Sequence, residues 1–248
     1  MSLSGGSPSR GVDAVIFDWG GTLTRWQPID VRGTWKAVAA VAVAADPMHS
    51  LEELAHLLAE VDDQLWARCR SGDCESTRFA DVLAACGLED HPDLLAAHLG
   101  EWEPATRLDP DVPAVLGGLR RRGIRVGVLS NTIWPRAQHE AWFSRDGVLE
   151  LIDAAVYSSE IERTKPHPDA FLAAAAAVGA EPERVLFVGD RPFEDIHGAA
   201  QVGMRTALVP FTTIGDHERG PVQGEADAVL DRLLDVLDLV DRWGAGAG

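Results

Sequence analysis

The chain has 248 residues, of which 46% are hydrophobic and 25% charged, and its 39 acidic residues outnumber its 22 basic ones. This length can bury a full core in one large domain or in two unequal ones. The net charge of −17 argues against nucleic acid and against an anionic membrane surface as the main partner, because both require basic patches. A small phosphorylated substrate remains compatible with it, since a local cation and aligned N–H groups can overcome a repulsive distant field.

The cysteine content indicates a reducing compartment. The chain has 3 cysteines and none of them forms a C-x-x-C pair, so a disulfide framework is not expected. No apolar run reaches the length of a membrane span, and the first ten residues carry no signal-peptide core. We therefore expect a cytoplasmic protein, with residues 1–11 forming a disordered lead rich in Ser and Gly.

The first predicted strand is the apolar run at residues 14–17, which leads directly into Asp18 and then two glycines. An unbroken run of this kind is typical of a strand buried on both faces of a parallel sheet. Asp18 would then lie at the carboxyl end of the strand, where open α/β folds bind their ligands. A carboxylate there can bind a metal or act as a nucleophile, although an ordinary Asp-Gly turn explains the same residues equally well.

The block that follows predicts only helices. Apolar spacing and stop signals predict helices over 31–45, from Ser50 to about residue 65, from Ser76 or Thr77 to Gly87, and over 93–102. Because this helical block interrupts the chain directly after the first strand, we expect residues 25–106 to form an inserted helical cap domain.

From Pro110 onwards, predicted helices and strands alternate. The strands are expected at 124–129, 152–157, 185–188 and 206–209, and the helices at 112–122, 168–178, 196–202 and 228–241. This alternation predicts an α/β fold with a doubly wound parallel sheet covered by helices on both faces. Its core domain would comprise residues 12–24 and 107–243.

Four of these strands are followed by polar clusters. The clusters contain, in chain order, Asp18, Ser130-Asn131, Lys165, and Asp190 through Asp195. In a doubly wound sheet these points converge in one crevice. Two carboxylates there suit a hard cation such as Mg²⁺, while a hydroxyl, an amide and one lysine suit the oxygens of a phosphoryl group.

In this order the clusters resemble the motifs of the haloacid dehalogenase (HAD) superfamily of hydrolases. Those motifs are a strand ending in D-x-D-x-T, a strand ending in Ser or Thr, a later Lys-Pro, and a strand ending in G-D-x-x-x-x-D. The resemblance covers the chain from Val12 to about Leu237, and the helical insert resembles the small α-helical cap of the family. It implies a HAD-like Rossmannoid core and a hydrolase, most simply a phosphatase acting on a small phosphorylated metabolite.

The resemblance also implies residue roles. Asp18 would attack phosphorus and form an aspartyl-phosphate intermediate. Oxygen ligands for Mg²⁺ would come from Asp18, the backbone carbonyl of Gly20, Asp190 and Asp195. Phosphoryl oxygens would be bound by Ser130, the N–H of Asn131 and Lys165. Such a site works by positioning and by charge stabilisation, which is what phosphoryl transfer requires.

Residue 20 departs from the family pattern, because it is Gly where most phosphatases of the family carry a second aspartate. That aspartate protonates the leaving alcohol and later activates water, which is worth roughly 10²–10⁴-fold in rate. Three explanations stay open at this point. In the first, another acid, Asp30, Asp73 or Glu75, replaces the missing one. In the second, the reaction of the substrate does not require the acid. In the third, the protein binds a phosphorylated ligand with little or no turnover.

The second explanation has a parallel in phosphonoacetaldehyde hydrolases, whose first-motif loop, Asp-Trp-Ala-Gly-Thr, is similar to the one here. Those enzymes use a cap lysine to form a Schiff base. The chain has only two lysines, and Lys36 is the one in the predicted cap. The dehalogenase branch also lacks an acid at this position, but it does without metal, so the acidic cluster at Asp190, Glu194 and Asp195 argues against dehalogenation.

Overall fold

A computed structural model of the protein describes residues 11–46, 49–70, 74–210 and 225–245. Six parallel strands form a single sheet in the order β3-β2-β1-β4-β5-β6. The strands are β1 (Ala14–Phe17), β2 (Arg125–Ser130), β3 (Ala154–Tyr157), β4 (Val185–Gly189), β5 (Arg205–Leu208) and β6 (Ala228–Val229). The predicted α/β class and parallel sheet are therefore confirmed.

Strand β1 lies in the middle of the sheet, and all four of its residues are fully buried. Its side chains alternate between two hydrophobic clusters, with Val15 and Phe17 on one face and Ala14 and Ile16 on the other. This is the arrangement that an unbroken apolar run predicts. Phe17 pairs with Val128 of β2 and Val188 of β4, so these three strands end close to the same level.

Helices cover both faces of the sheet. The face of Val15 and Phe17 packs against buried side chains of α5 (Val112–Arg121), α6 (Arg136–Arg145) and α9 (Val236–Ala245). The opposite face packs against α7 (Pro168–Val178) and the short α8 (Gly198–Gln201). The sheet is thus doubly wound, as the alternating pattern predicts.

Within the described residues, five α-helices lie between β1 and β2, and the first four of them precede α5 and form the helical insert. These four are α1 (Val31–Ala45), α2 (Leu51–Arg70), α3 (Phe79–Ala85) and α4 (Pro92–Trp102). Helix α1 contacts both α2 and α4, and residues such as Trp35, Leu58 and Leu83 are buried among them. Where the chain leaves and re-enters the sheet domain, Thr24 and Leu108 form an antiparallel bridge. We propose the predicted limits, 25–106, as those of a cap domain. Within the described residues, no helix combines the length and the apolar character that a membrane span requires.

Two local predictions are wrong, and one helix was not predicted. Helix α3 begins after Arg78, whose N–H donates to Asp81 Oδ2 at 2.8 Å, rather than after Ser76 or Thr77. The predicted helix 228–241 begins instead with β6, because the Asp227 carboxylate binds Thr206 N and Oγ1 (2.8 and 3.2 Å) and holds this segment beside β5. Helix α6 was not predicted, since only two of its buried residues, Trp142 and Phe143, are apolar, and two adjacent residues do not establish a helical period.

Gly127 in β2 lets α7 pack directly on the sheet. A Cβ atom at this position would lie 2.6 Å from Val178 Cγ1 and 3.0 Å from Ile16 Cγ1. We expect Gly127→Ala to lower the free energy of unfolding by about 1–3 kcal/mol through overpacking. In a Val178→Ala background, urea denaturation should show that Gly127→Ala lowers the free energy of unfolding by less. Gly100→Ala is the control: a Cβ there meets no atom within 4 Å, so this variant should be neutral or slightly stabilising.

Candidate functional site

The predicted site residues meet at the carboxyl edge of the sheet. Asp18 follows β1, Ser130 ends β2, Asp190 follows β4, and Lys165 lies in the loop between β3 and α7. Lys165 Nζ donates to Asp18 Oδ1 and to Asp195 Oδ1, both at 2.6 Å. The structure therefore brings together the nucleophile candidate, the lysine and the second acidic motif, which are far apart in sequence.

The Lys165 ammonium is buried between two carboxylates. Its side chain is 3% exposed, against 9% for Asp18 and 0% for Asp195. Burial alone would lower the pKa of Lys165, but the charges of Asp18 and Asp195 outweigh it and hold that pKa above its ordinary value. Lys165 is thus a fixed positive charge in direct contact with Asp18.

Asp195 is held against the end of β4 by backbone contacts. Arg191 N donates to its Oδ2 at 2.9 Å, while Lys165 binds Oδ1. Burial raises the pKa of Asp195 and the Lys165 charge opposes that rise, so its ionisation depends on the lysine. Gly189 permits this arrangement, because a Cβ at residue 189 would lie 2.4 Å from Asp195 Oδ2. The glycine before Asp190 is therefore a steric requirement of the site.

Three buried carboxylates could hold a metal ion here. One carboxylate oxygen from each of Asp18, Asp190 and Asp195 lies within 4.8 Å of the other two. Thr22 Oγ1 is 3.5 Å from Asp190 Oδ1, and Arg191 Nε is 3.7 Å from Asp190 Oδ2. Three buried negative charges exceed the single buried charge of Lys165, and oxygen donors suit hard cations. The residues present thus fit a divalent cation such as Mg²⁺.

The Asn131 side chain has a role that sequence reasoning missed. Its Nδ2 donates to Lys165 O and its Oδ1 accepts from Lys165 N, both at 2.9 Å. This pair of hydrogen bonds fixes the backbone that carries the lysine. The sequence predicts that the Asn131 amide and N–H bind phosphoryl oxygens, and no spacing rule links the Asn131 side chain to a backbone 34 positions away. Ser130 is 2% exposed and, with Asn131, lines the same cavity as Asp18.

A cavity of about 340 Å³ lies over this cluster. Its walls come from the strand ends and from the inserted helices α2 and α4. The wall includes five tryptophans, Trp19, Trp26, Trp66, Trp102 and Trp134, together with the polar residues Asp62 and His98. Asp62 and His98 were not predicted to lie there, because nothing in the helical pattern distinguishes them from other polar helix residues.

Asp62 and His98 are both buried. Asp62 is 5% exposed and accepts a hydrogen bond from Trp35 Nε1 at 3.0 Å. Burial raises the pKa of Asp62 to about 6, against smaller opposing effects of the Trp35 and Trp66 indoles. Burial lowers the pKa of His98 to about 3, so its imidazole is neutral at pH 7.

The other candidates for replacing the missing acid lie elsewhere. Asp30 and Glu75 are exposed, and neither is among the residues that line the cavity. Asp73 lies outside the described residues. Lys36 is half-exposed, pairs with Glu52 at 2.7 Å, and also does not line the cavity. Gly20 itself lines the cavity and is exposed.

Comparison with known proteins gives concordant matches. The sequence profile of haloacid dehalogenase-like hydrolases matches residues 12–203. The N-acetylmuramic acid 6-phosphate phosphatase of Pseudomonas aeruginosa is 30% identical over 237 residues, which cover 92% of this chain and 95% of that protein. The glyceraldehyde 3-phosphate phosphatase of Methanopyrus kandleri is 28% identical over 234 residues, covering 92% of this chain and 97% of the relative.

Solved structures share the fold at lower identity. A HAD phosphatase from Thermococcus onnurineus matches with a TM-score of 0.63 at 20% identity, over 92% of this chain and 98% of that chain. The L-2-haloacid dehalogenase of Xanthobacter autotrophicus matches with a TM-score of 0.59 at 23% identity, over 93% of this chain and 98% of that one. Because phosphatases and dehalogenases both match, the fold does not select the reaction.

The raised pKa of Asp62 predicts a pH-dependent stability difference. Unfolded, this carboxyl ionises near pH 3.8, whereas in the folded protein it stays protonated until about pH 6. Stability of the wild type should therefore fall across this window, and Asp62→Asn should lack the fall. In urea denaturation, we expect the free energy of unfolding of Asp62→Asn, relative to that of the wild type, to rise by roughly 2–3 kcal/mol between pH 4 and pH 7. Asp62→Leu should show the same rise. A difference in unfolding free energy that does not change with pH would refute the raised pKa of Asp62.

Proposed function

This chain belongs to the haloacid dehalogenase-like hydrolase family, and on that premise we propose that it is a Mg²⁺-dependent phosphatase of a small phosphorylated metabolite. The observation that carries the proposal is the contact of Lys165 Nζ with both Asp18 and Asp195 at 2.6 Å. The matched relatives from P. aeruginosa and M. kandleri are both phosphatases of phosphorylated small molecules. That agreement favours phosphate esters over halogenated acids.

In the proposed reaction, the Asp18 carboxylate attacks phosphorus and the bond to the leaving oxygen breaks. This leaves an aspartyl-phosphate and an alkoxide, which takes up a proton. Water then attacks the same phosphorus, Asp18 departs as a carboxylate and inorganic phosphate is released. Lys165 neutralises Asp18 and the approaching phosphoryl group, while Ser130 and the N–H of Asn131 bind phosphoryl oxygens.

The proposed metal ligands are Asp18, Asp190, Asp195 and the backbone carbonyl of Gly20. A bound Mg²⁺ would neutralise charge on the phosphoryl oxygens. Gly in place of the usual second aspartate does not remove the ligand, because its carbonyl is a backbone group. Such a site serves a phosphorylated small molecule and requires neither nucleic acid nor a membrane, so we keep a cytoplasmic location as part of the proposal.

Gly20 favours one second candidate, a weakly active protein that mainly binds a phosphorylated ligand. No side chain at residue 20 can protonate the leaving oxygen, so turnover of ordinary esters should be slow. The phosphonatase alternative has less support, since Lys36 pairs with Glu52 and does not line the cavity. The two acids of the β4 motif, Asp190 and Asp195, lie beside Asp18, which supports metal-dependent chemistry over dehalogenation.

Replacing the nucleophile tests covalent catalysis. Asp18→Asn should lower kcat on p-nitrophenyl phosphate with Mg²⁺ by roughly 10³-fold or more, since loss of a nucleophile removes a step that other groups cannot supply. Addition of EDTA should abolish the wild-type activity. Asp93→Asn, which changes an exposed residue of α4, is the control and should retain full activity. Equal activity of Asp18→Asn and wild type would exclude Asp18 as the nucleophile.

Restoring the missing acid tests whether the site is otherwise complete. A Cβ at Gly20 would meet no atom within 4 Å, and its φ of −79° suits any residue, so an aspartate can be placed there. We expect Gly20→Asp to raise kcat on alkyl phosphates by about 10²-fold. Gly20→Asn has the same size without the acid and should give no rise. If Gly20→Asp were also inactive, the weakly active binding protein would be favoured.

A further inference from the structure

Part of the cavity wall is not used by the proposed phosphoryl chemistry. The inserted helices contribute two buried polar side chains to it, Asp62 from α2 and His98 from α4. Both line the cavity that contains Asp18 and Lys165. These two residues are therefore placed to meet the part of a substrate that lies beyond its phosphoryl group.

Asp62 is fixed in place but only half satisfied. Its Oδ2 accepts from Trp35 Nε1 at 3.0 Å, and Trp35 is itself fully buried. Its Oδ1 is buried and accepts no hydrogen bond of ordinary geometry from the described residues, although the Trp66 indole lies close enough to lower the pKa of the carboxyl. One oxygen thus anchors the side chain, while the hydrogen-bonding capacity of the other is not used by the described residues.

His98 is also held in place by its neighbours, and it has fewer hydrogen-bond partners than Asp62. It is 2% exposed, and its ring packs 4.5 Å from Trp35 and 5.3 Å from Phe79, measured between ring centroids. Among the described residues, neither ring nitrogen has a hydrogen-bond partner. Since its imidazole is neutral, it offers one donor and one acceptor.

Asp62 and His98 thus contribute three buried polar atoms that have no partner among the described residues, and the Nε1 atoms of Trp19, Trp102 and Trp134, which line the same cavity, add three more. Such atoms lower stability unless a ligand or water pairs with them. An acceptor and a donor–acceptor pair on the wall of one cavity match hydroxyl groups, which both donate and accept. It does not match a second anion, which Asp62 would repel once ionised, nor a purely apolar group. The indoles of Trp66, Trp102 and Trp134 line the same cavity and offer apolar faces to the C–H groups of a sugar ring.

We propose that Asp62 and His98 form a subsite that binds hydroxyl groups of the leaving alcohol, so that the substrate is a polyhydroxylated phosphate ester of the sugar-phosphate class. The subsite rests on the proposed phosphatase function, because it assumes that the phosphoryl group occupies the cluster around Asp18. A cavity of about 340 Å³ is of the size that small-molecule sites occupy.

The test compares two kinds of leaving group. Wild-type enzyme is assayed with Mg²⁺ on glucose 6-phosphate, glucosamine 6-phosphate, ribose 5-phosphate and glycerol 3-phosphate, and on p-nitrophenyl phosphate, whose leaving group has no free hydroxyl. Asp62→Asn and His98→Phe are then assayed on the best sugar phosphate and on p-nitrophenyl phosphate. We expect each variant to lower kcat/KM at least 10-fold for the sugar phosphate and to stay within threefold for p-nitrophenyl phosphate.

The variants are chosen to keep the fold. Asn retains an oxygen that can accept a hydrogen bond from Trp35, and Phe keeps an aromatic ring among the neighbours of His98. Circular dichroism checks the fold of both variants, and one folded variant is enough for the comparison of substrates. Glu60→Gln, an exposed change on the same helix, should leave both substrates unaffected. Equal losses on both substrates, no loss on either, or a wild-type preference for p-nitrophenyl phosphate over every sugar phosphate would overturn the subsite.

Failure of the proposed phosphatase function would look different, because then no substrate is hydrolysed by the wild type. In that case calorimetry measures binding of glucose 6-phosphate and of p-nitrophenyl phosphate to the wild type and to His98→Phe. Selective weakening of glucose 6-phosphate by at least 10-fold would support the subsite without catalysis. Equal affinities in the two proteins, or no binding of glucose 6-phosphate, would overturn it.

Discussion

A buried ammonium between two buried carboxylates is the interaction on which the rest of this site depends. Lys165 Nζ contacts Asp18 and Asp195 at 2.6 Å each, and neither carboxylate could stay charged at such depth alone. The surroundings serve this one contact. Asn131 grips the backbone of Lys165 through two hydrogen bonds, and Gly189 leaves room for Asp195 against the end of β4. The segments that carry Asn131, Lys165 and Asp195 therefore share one role, which is to hold this buried ion cluster in place.

The architecture of the sheet could be predicted from the sequence, because its signals are local. The apolar run of β1 and the helical spacing of α1 and α7 each lie within a short segment. Helix α6 and strand β6 could not be predicted. Helix α6 has only two buried apolar residues, which are adjacent, and β6 is held extended by the contact of Asp227 with Thr206, 21 residues away. A local pattern carries no information about such partners.

Some residues of the candidate site could likewise be predicted from the sequence, and others could not. Motif order brought Asp18, Ser130, Lys165 and Asp190 to one edge because parallel strands end together. The side-chain role of Asn131 depends on the loop that carries Lys165, and the positions of Asp62 and His98 depend on how the inserted helices pack over that edge. Whether a polar residue of an inserted helix is exposed or lines the cavity is decided by tertiary packing, so no spacing within α2 or α4 could identify them.

The bridge between Thr24 and Leu108 has a consequence for how this protein can change. The two connections to the inserted helices run side by side, with Arg25 N bonded to Arg107 O and Asp109 N bonded to Leu23 O. A segment whose ends already meet needs no adjustment of the sheet when its length or sequence varies. The edge of the sheet where we propose that phosphoryl groups bind and the wall contributed by α2 and α4 can therefore diverge independently. Replacement of the inserted helices alone could then change the substrate.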